Sequence, residues 1–464
     1  MKVLFVYTDL NVRGGAQSYH FGIGMLSAML KSHGHETQLH YMFGNYDPAA
    51  LTQTISTWQP DVLAFSAVSP QFSYVQHIFR DLQPFKPFTV LGGQHATLVP
   101  ECLEQTPGLD AICIGEGEYP LLELVQTLDR GERPDQIANL WIKREDGTII
   151  RNPSRPFHEK LDTLPFADVG LFDYQSIINS DFNTALLMFS RGCPYNCTFC
   201  SNHALRKMQP GTYVRYRGVE SCMAEIRDVV SRFRVKALYF NDDCFTARRD
   251  FVTEFCRAYK AEFNLPFDIN ARPENLNDDI CRMLKDAGCR RVCIGLENGS
   301  EKFRKEVLGR NQSNAQIESG FAACRRAGLK TKSFNIVGFP FETPAIHQET
   351  VKLNAKMNPD SVIIGIFEPY PGTKLADLCL KEGFIEPAQT GGEFVGRTDT
   401  ILKMPNFSRE QIVHCFRTFA YNVYRHHSLR KAIFLRFYYS PLGEPLIRLL
   451  KPIKGILRRI TMGV

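Results

Sequence analysis

Short apolar segments alternate with amphipathic helical segments along most of the chain, and this alternation is the feature that most constrains its fold. In the first 150 residues the strand-like segments are Val3–Tyr7, Val62–Ala67, Thr89–Leu91 and Ala111–Ile114. Between them, apolar residues recur at helical spacing. Strands joined by helices form right-handed crossovers in a parallel sheet. Residues 1–150 are therefore predicted to form a Rossmann-like α/β domain, whose ligands bind beyond the carboxyl ends of the strands.

The same alternation returns in residues 185–385 and predicts a second α/β domain. Its strand-like segments are Ala185–Ser190, Ala237–Phe240, Phe267–Ala271, Arg291–Gly295, Lys332–Val337 and Ser361–Phe367. Six such units predict a (β/α)6-type partial TIM barrel with its active site at the C-terminal strand ends. Residues 151–184 contain three prolines that punctuate a linker. Residues 386–464 are predicted to form a helical, basic C-terminal region.

The composition excludes several classes of protein. Hydrophobic residues make up 44% and charged residues 22%, as in folded proteins rather than disordered ones. The longest apolar segments have the length of strands and are too short for a membrane-spanning helix. The chain begins directly with a predicted strand and shows no secretory signal, so we expect a cytoplasmic protein. In that compartment, 14 cysteines indicate metal or redox chemistry rather than disulfides.

Three of the cysteines form a motif directly after the first predicted barrel strand. Cys193, Cys197 and Cys200 have the spacing C-x3-C-x2-C, which lets one loop hold three irons of a 4Fe-4S cluster and leave the fourth open. A structural zinc site needs four ligands, and His203 is the nearest candidate for a fourth. Cys281, Cys289 and Cys293 are predicted on a helix, a turn and a strand, and we interpret them as core residues.

With this motif, the chain resembles the radical S-adenosylmethionine superfamily. The resemblance implies that the open iron of the cluster binds S-adenosylmethionine and that the cofactor is cleaved to a 5′-deoxyadenosyl radical. An electron donor such as flavodoxin or ferredoxin would reduce the cluster. The residues that match the family's cofactor-contacting positions are Phe199, Asn241, Asp242, Glu297 and Asn335. Phe199 is expected against the adenine, and the two acids near the amino group and ribose.

The first domain resembles the cobalamin-binding domain that precedes the barrel in one large branch of this superfamily. The matching segments contain Gly92, Gly93 and His95, and then Gly115 and Glu116. The motif Asp-x-His-x-x-Gly, which supplies a histidine to cobalt in other cobalamin carriers, is absent, so we expect cobalamin without a histidine ligand. A dinucleotide is a poor alternative, because the only glycine pair after the first strand, in the segment 13–15, is too short for a G-x-G-x-x-G loop.

The resemblance implies a cobalamin-dependent methyltransferase that acts on an unactivated centre of a small-molecule or lipid substrate. Two alternatives remain open: an oxidative cyclase of the anaerobic magnesium-protoporphyrin ester type, and a non-catalytic cobalamin-binding protein. No nucleic-acid-binding motif is present. In the basic tail, residues 430–459 interleave Lys and Arg with large apolar residues. This pattern fits either peripheral contact with the inner face of a membrane or a helix that packs on the barrel.

Overall fold

The computed structural model describes residues 1–10, 17–82, 84–386, 397–440 and Gly443, and its first sheet confirms the Rossmann-like prediction. The strands are β1 (Lys2–Asp9), β2 (Glu36–Phe43), β3 (Val62–Ser66), β4 (Phe88–Gly92), β5 (Ala111–Cys113), β6 (Leu140–Lys143) and β7 (Ile149–Arg151). They lie in the order β2-β1-β3-β4-β5-β6-β7. The first five are parallel, and β6 and β7 extend the sheet antiparallel. The predicted strands β1, β3, β4 and β5 are all present, whereas β2, β6 and β7 were not predicted.

Helices cover both faces of this sheet, which explains why its central strands are almost wholly apolar. The helices are α1 (Phe21–Ser32), α2 (Pro48–Trp58), α3 (Ser69–Leu82), α4 (Gln94–Leu98), α5 (Cys102–Gln105) and α6 (Glu118–Asp129). All five residues of β3 are buried. The glycine pair in the segment 13–15 lies outside the described residues.

The segment predicted as a linker is ordered and contacts both domains. It contains two 3-10 turns, Leu161–Thr163 and Val169–Leu171, and the helix α7 (Tyr174–Ser180). Asp168 accepts hydrogen bonds from the Ser27 hydroxyl and the Lys31 ammonium group of α1, both at 2.7 Å. On the other side, Arg217 donates to the backbone oxygens of residues 164 and 165. Side-chain hydrogen bonds therefore fix the linker on the first domain and on the second.

The second sheet confirms the partial barrel. Its six parallel strands are β8 (Thr184–Leu187), β11 (Ala237–Phe240), β12 (Phe267–Ala271), β13 (Cys289–Glu297), β14 (Lys330–Val337) and β15 (Ser361–Ile366), in the order β15-β14-β13-β12-β11-β8. A small antiparallel pair, β9 (Ser190–Arg191) and β10 (Arg215–Tyr216), follows β8. The helices are α8 (Asn202–Leu205), α9 (Val219–Arg232), α10 (Arg249–Glu262), α11 (Asp278–Asp286), α12 (Glu301–Glu306), α13 (Asn314–Arg326), α14 (Pro344–Met357) and α15 (Lys374–Lys381).

Buried aromatic rings fill the space between the first barrel strands and their helices. Phe240 lies 5.1 Å from both Phe255 and Phe267, measured between ring centroids. Cys281 and Cys293 are buried on α11 and β13, as predicted for core residues. Cys289, which was predicted in a turn, is the first residue of β13 and is also buried.

Among the described residues after the barrel, the helices are α16 (Arg409–Tyr424) and α17 (Leu429–Tyr438). The apolar side of α16 packs on β15, and the Tyr424 hydroxyl donates to the Pro359 backbone oxygen at 2.9 Å. On α17, Leu429, Ile433 and Phe437 are 56%, 56% and 44% exposed. The rest of the predicted amphipathic tail lies outside the described residues. Within the described ranges, no helix is both long and apolar enough to cross a membrane.

Candidate functional site

The cluster loop, residues 192–200, leaves the sheet at the C-terminal end of β8 and carries the three predicted cluster cysteines. Its far end is fixed to the segment after α12, because Thr198 donates from its backbone nitrogen to Leu308 O at 3.1 Å and from its hydroxyl to Val307 O at 2.7 Å. Cys197 is buried, whereas Cys193 and Cys200 are partly exposed. The barrel therefore positions the loop at both ends, with one of the three cysteines buried and two partly exposed.

Asp242 fixes the start of this loop by hydrogen bonds to its backbone. It is buried, and its Oδ1 accepts hydrogen bonds from the backbone nitrogens of Phe189 at 3.0 Å and Ser190 at 2.5 Å. Burial raises the pKa of Asp242 to about 6, although these hydrogen bonds lower it. The neighbouring Asn241 is exposed, and its backbone nitrogen donates to Leu187 O at 2.7 Å. The carboxylate of Asp242 is thus engaged with the backbone that leads into the cluster loop.

Hydrogen-bond donors face the sulfur atoms of the loop, and this donor set fits an anionic iron–sulfur cluster. Arg272 Nη1 lies 3.1 Å from Cys197 Sγ, and Arg310 Nη1 lies 3.7 Å from the same sulfur. The Asn202 amide lies 3.5 Å from Cys200 Sγ. Among the described residues, no three His, Cys, Asp or Glu side chains lie close enough to surround a single metal ion. Each cysteine of a cubane cluster binds a different iron atom, which places its thiolates farther apart than the ligands of one ion.

The other residues predicted to contact S-adenosylmethionine are found in two different environments. The Phe199 ring lies 5.4 Å from the Phe339 ring at the barrel mouth. Glu297 ends β13 with a φ of +66°, and its Oε1 lies 3.7 Å from Arg310 Nη1, which places it near the triad. Burial raises the pKa of Glu297, and the nearby arginines lower it. Asn335 instead is buried between β14 and α14, where it accepts from the Asn354 amide at 2.8 Å, and it is not brought near the triad.

A cavity of about 390 Å³ opens between the two sheets and has walls from both domains. Gly92, Gly93, Gly115 and Glu116 line it from the first domain. Ser190, Arg191, Gly192, Asn202, Tyr213 and Asp243 line it from the barrel. The predicted cofactor-binding glycines and the first residue of the cluster loop therefore border the same space. Its volume is typical of sites for small-molecule ligands.

Two of these glycines have a positive φ and no free space for a Cβ. Gly93 has a φ of +95°, and a Cβ there would lie 2.6 Å from Ala67 O. Gly115 has a φ of +83°, and a Cβ would lie 2.2 Å from the Gln209 side chain. Gly92 differs, because its nearest neighbours would be 3.9 Å from an added Cβ. Gly93 and Gly115 thus let the backbone pack closely against Ala67 and Gln209, and all three glycines line the cavity without a side chain.

Neither histidine near these strand ends is arranged to bind cobalt. His95 is buried, stacks on the Phe72 ring at 4.0 Å and shares a hydrogen bond between its Nδ1 and Ser69 Oγ. His20 lines the cavity, but its Nδ1 accepts a hydrogen bond from Ile23 N at 3.1 Å. Because the neutral His20 imidazole accepts at Nδ1, its proton is on Nε2 and no lone pair remains for a metal. Nε2 of His95 is buried, and His95 does not line the cavity. Burial lowers the pKa of both side chains to about 4, which keeps them neutral.

Glu116 takes part in an interdomain clasp that also contains Glu118, Arg191 and Arg215. Glu116 accepts from Arg215 at 2.7 and 3.0 Å and from Arg191 at 3.0 Å, and Arg191 also binds Glu118. Burial alone would raise the pKa of Glu116, but the two arginines outweigh it and lower the pKa to about 2. Arg191 stands two residues before Cys193. The clasp therefore joins the segment Gly115–Glu118 of the first domain to the start of the cluster loop.

Comparison with known protein families matches each of the two domains separately. Residues 187–353 match the Radical SAM superfamily, and residues 8–125 match the B12 binding domain. A Pyrococcus horikoshii protein described as an uncharacterized methyltransferase, PH0819, is 26% identical and covers 95% of this chain and 99% of its own length. The anaerobic magnesium-protoporphyrin IX monomethyl ester cyclase of Rubrivivax gelatinosus is 25% identical, over 81% of this chain and 69% of the cyclase. The cytidylyl-2-hydroxyethylphosphonate methyltransferase of Streptomyces wedmorensis is 22% identical over 80% of each chain.

Solved structures show the same fold over nearly the whole chain. TsrM from Kitasatospora setae, a radical S-adenosylmethionine methyltransferase solved with cobalamin and a 4Fe-4S cluster, has a TM-score of 0.69, 15% identity and coverage of 100% of this chain and 99% of its own. The cobalamin-dependent radical enzyme OxsB has a TM-score of 0.70 and 17% identity, and covers 98% of this chain and 75% of its own. The two family matches and the shared fold confirm the predicted cofactors: a 4Fe-4S cluster, S-adenosylmethionine and cobalamin. The chain belongs to the radical S-adenosylmethionine enzymes that carry an N-terminal B12-binding domain.

Proposed function

We propose that this enzyme transfers a methyl group from S-adenosylmethionine, by way of cobalamin, to an unactivated carbon or phosphorus centre of a small-molecule or lipid substrate. The observation that carries this proposal is the cavity between the sheets, which borders Gly92 and Gly93 on one side and Gly192 of the cluster loop on the other. When bound, the cluster with S-adenosylmethionine supplies a hydrogen-abstracting radical, and cobalamin supplies a transferable methyl group. A substrate in the shared cavity would lie within reach of both.

The chain's own residues orient these groups and exclude water. Cys193, Cys197 and Cys200 would hold the cluster, and Phe199 and Glu297 would contact S-adenosylmethionine at the barrel mouth. Gly92, Gly93 and Gly115, which line the cavity without side chains, would let cobalamin approach the strand ends. Apolar side chains from both domains, among them Met25 and Met188, line the cavity between these places. Such a lining favours radical chemistry because it keeps solvent away from reactive species.

Similarity favours methyl transfer over ring closure. The PH0819 relative, described as a methyltransferase, aligns over almost its full length, whereas the cyclase aligns over 69% of its own. The test is to incubate the anaerobically reconstituted protein with reductant, cobalamin, S-adenosylmethionine labelled in its methyl group, and metabolite or total-lipid extracts of its source organism. We expect label in an extractable product, with one 5′-deoxyadenosine formed per methyl group transferred. The Cys197→Ala protein is the control and should form neither.

The outcome separates the three candidate functions. Formation of 5′-deoxyadenosine with a product that has lost hydrogen and gained no label would indicate the cyclase reaction. Retention of cobalamin without cleavage of S-adenosylmethionine would indicate a non-catalytic cobalamin-binding protein.

For the electron donor, the cluster loop offers the exposed residues Pro194 and Asn196, where a flavodoxin or ferredoxin could approach the cluster.

We also propose that α17 contacts an anionic membrane surface, which would suit a lipid substrate. Leu429, Ile433 and Phe437 stand one helical turn apart and are exposed, with Arg430 and Arg436 beside them. An apolar stripe flanked by cations favours the interface of an anionic bilayer. The full-length protein should float with anionic vesicles at low salt, and a variant with serine at the three apolar positions should not. Equal flotation of the two proteins would instead assign the stripe to packing.

A further inference from the structure

One arginine is fixed on four sides against a cysteine of the cluster loop. Arg272 follows β12 directly and is buried. Its Nη1 lies 3.1 Å from Cys197 Sγ, its Nε donates to Glu274 Oε1 at 2.6 Å, and its Nη2 donates to Gln312 Oε1 at 3.1 Å. The guanidinium lies 3.7 Å from the centre of the Tyr195 ring, within the cluster loop itself. The side chain can therefore hardly move without breaking several interactions.

A second buried arginine approaches the same sulfur. Arg310 Nη1 lies 3.7 Å from Cys197 Sγ, and its Nη2 donates to Gly295 O. Among the described residues, the arginine contacts to the three cluster sulfurs are made with Cys197 alone, while Cys200 receives the neutral Asn202 amide at 3.5 Å. The positive charge near the triad is thus concentrated at one of its three thiolates.

We propose that Arg272 sets the reduction potential of the cluster through its N–H···S hydrogen bond to Cys197, with Arg310 as a second cation at the same sulfur. Reduction adds one electron to the cluster and makes it more negative by one charge. A cationic donor at a ligand sulfur stabilises the reduced state more than the oxidised state, and the buried setting strengthens this effect. Arg272 is therefore a positioning residue that acts through Cys197. The proposal requires that the triad binds the cluster, and it is independent of methyl transfer.

If Arg272 only held the cluster loop in place, any shift in reduction potential on its loss would come from a loosened loop. Arg206 provides a matched control for that alternative. Arg206 also holds the cluster loop, because it donates to the Cys193 backbone oxygen and lies 5.5 Å from the centre of the Tyr213 ring. It contacts a carbonyl rather than a sulfur. Loss of Arg206 should loosen the loop but shift the potential of a retained cluster less than loss of Arg272 does, because the Arg206 charge meets the backbone and not a ligand sulfur.

A substitution at Glu274 is expected to shift the reduction potential in the direction opposite to a substitution at Arg272. Its Oε1 accepts from Arg272 Nε, and its other oxygen is buried without a hydrogen-bond partner among the described residues. A glutamine at this position can still accept that hydrogen bond but lacks the negative charge. Glu274→Gln should therefore make the cluster easier to reduce, whereas Arg272→Gln should make it harder to reduce.

The experiment is a redox titration of the anaerobically reconstituted full-length protein, without cobalamin or S-adenosylmethionine, followed by the electron paramagnetic resonance of the reduced cluster. For Arg272→Gln we expect roughly a tenfold fall in the equilibrium constant for reduction, or about 59 mV toward negative potential. Arg272→Lys, which retains the charge, should shift less, and Glu274→Gln should shift in the positive direction. Iron content should equal that of the wild-type protein in each variant compared.

Two outcomes would overturn the proposal. One is a wild-type potential in an Arg272→Gln protein with full iron content. The other is an equal negative shift in Arg206→Gln, which would mean that loosening the loop suffices. If Arg272→Gln does not retain the cluster, Arg272→Lys and Glu274→Gln decide the question, because a mechanical role predicts no shift of opposite sign. A wild-type protein that binds the cluster but transfers no methyl group would contradict the proposed function and leave this inference intact.

Discussion

Replacing Glu116 with glutamine should destabilise the first domain, because the change removes the negative charge that two arginines of the barrel share. Glu116 accepts three hydrogen bonds from Arg191 and Arg215. Its side chain is 18% exposed, and that of Arg215 is 4% exposed. Removal of one partner from such a pair leaves the other charge buried and uncompensated, which is far more costly than loss of a surface ion pair.

The pKa of Glu116 gives the size of the expected loss in folding free energy. A fall from the ordinary value of 4.5 to about 2 corresponds to about 3 kcal/mol of folding free energy at neutral pH. Because the folded-state pKa is depressed, this contribution is complete above about pH 5 and is lost as the pH falls toward 2. At pH 3 less than half of this contribution remains. The effect of Glu116→Gln should therefore shrink on acidification.

The assay is urea unfolding followed by tryptophan fluorescence, which in this chain reports on the first domain alone. The only two tryptophans are Trp58, at the end of α2, and Trp141, in β6. With a urea dependence of about 2 kcal/mol per molar for a domain of this size, the midpoint should fall by about 1.5 M at pH 7. Glu132→Gln is the matched control, since Glu132 pairs with Arg130 and both side chains are more than half exposed. Its midpoint should stay near the wild-type value.

The reasoning about the clasp would be refuted by either of two results. Glu116→Gln could unfold at the same urea concentration as Glu132→Gln at pH 7. Alternatively, the difference between Glu116→Gln and the wild-type protein could remain constant between pH 7 and pH 3. The first result would mean that the ion pairs contribute no net stability, and the second that the lost stability does not come from the charge.

Three further predictions concern the cofactor sites. Cys197→Ala should abolish iron binding at the triad and cleavage of S-adenosylmethionine, whereas Cys281→Ala should retain the iron content, as colorimetric iron analysis would show. His20→Ala should leave the absorbance spectrum of bound cobalamin in its base-off form; a spectral change to another ligation state would contradict the tautomer argument. Gly92→Ala should weaken cobalamin binding in equilibrium titrations while the thermal stability of the apoprotein is maintained, because its methyl group would enter the cavity without a clash. Gly93→Ala should lower the apoprotein's melting temperature; equal stability of the two variants would be inconsistent with the positive φ and backbone overlap at Gly93.

In the first sheet, the sequence predicted the apolar, largely buried strands β1, β3, β4 and β5 and missed β2, β6 and β7. β3 is an uninterrupted apolar segment and was predicted within one residue of its observed end. β2 (Glu36–Phe43) begins with three polar residues and shows neither a continuous apolar segment nor regular alternation, and it lies at the edge of the sheet with only Met42 buried, so its pattern gives a weak signal. The antiparallel strands β6 and β7 have only four and three residues, which is too short for a clear pattern. Tertiary pairing, rather than local pattern, determines these three strands.

In the candidate site, the sequence likewise predicted what depends on neighbouring residues and missed what depends on residues far apart in the chain. The triad was found because its spacing lies within eight residues of sequence. Arg272 and Arg310 were missed because they reach Cys197 across 75 and 113 residues of chain. The Gly-Glu-Gly-Glu segment indicated a ligand-binding loop, and Glu116 does border the cavity, but no sequence pattern indicated that its carboxylate binds two arginines. A local motif predicts which residues share a loop, whereas the partners of a buried charge depend on the whole fold.

The clasp and the cluster arginines together imply that the two domains do not act as separable units. The arginine of the clasp that precedes the cluster loop, Arg191, takes its carboxylate partners from the first domain, so the orientation of the loop depends on that domain. Separation at the linker would leave Arg191 and Arg215 without their carboxylate partners on the barrel, and Glu116 without its arginines on the first domain. The lost charge compensation adds to the lost apolar contact, because uncompensated charges at the new surface must be hydrated again. The same ion pairs place the glycines of the first domain next to the cluster loop, so the interactions that hold the domains together also form the cavity in which the chemistry is proposed.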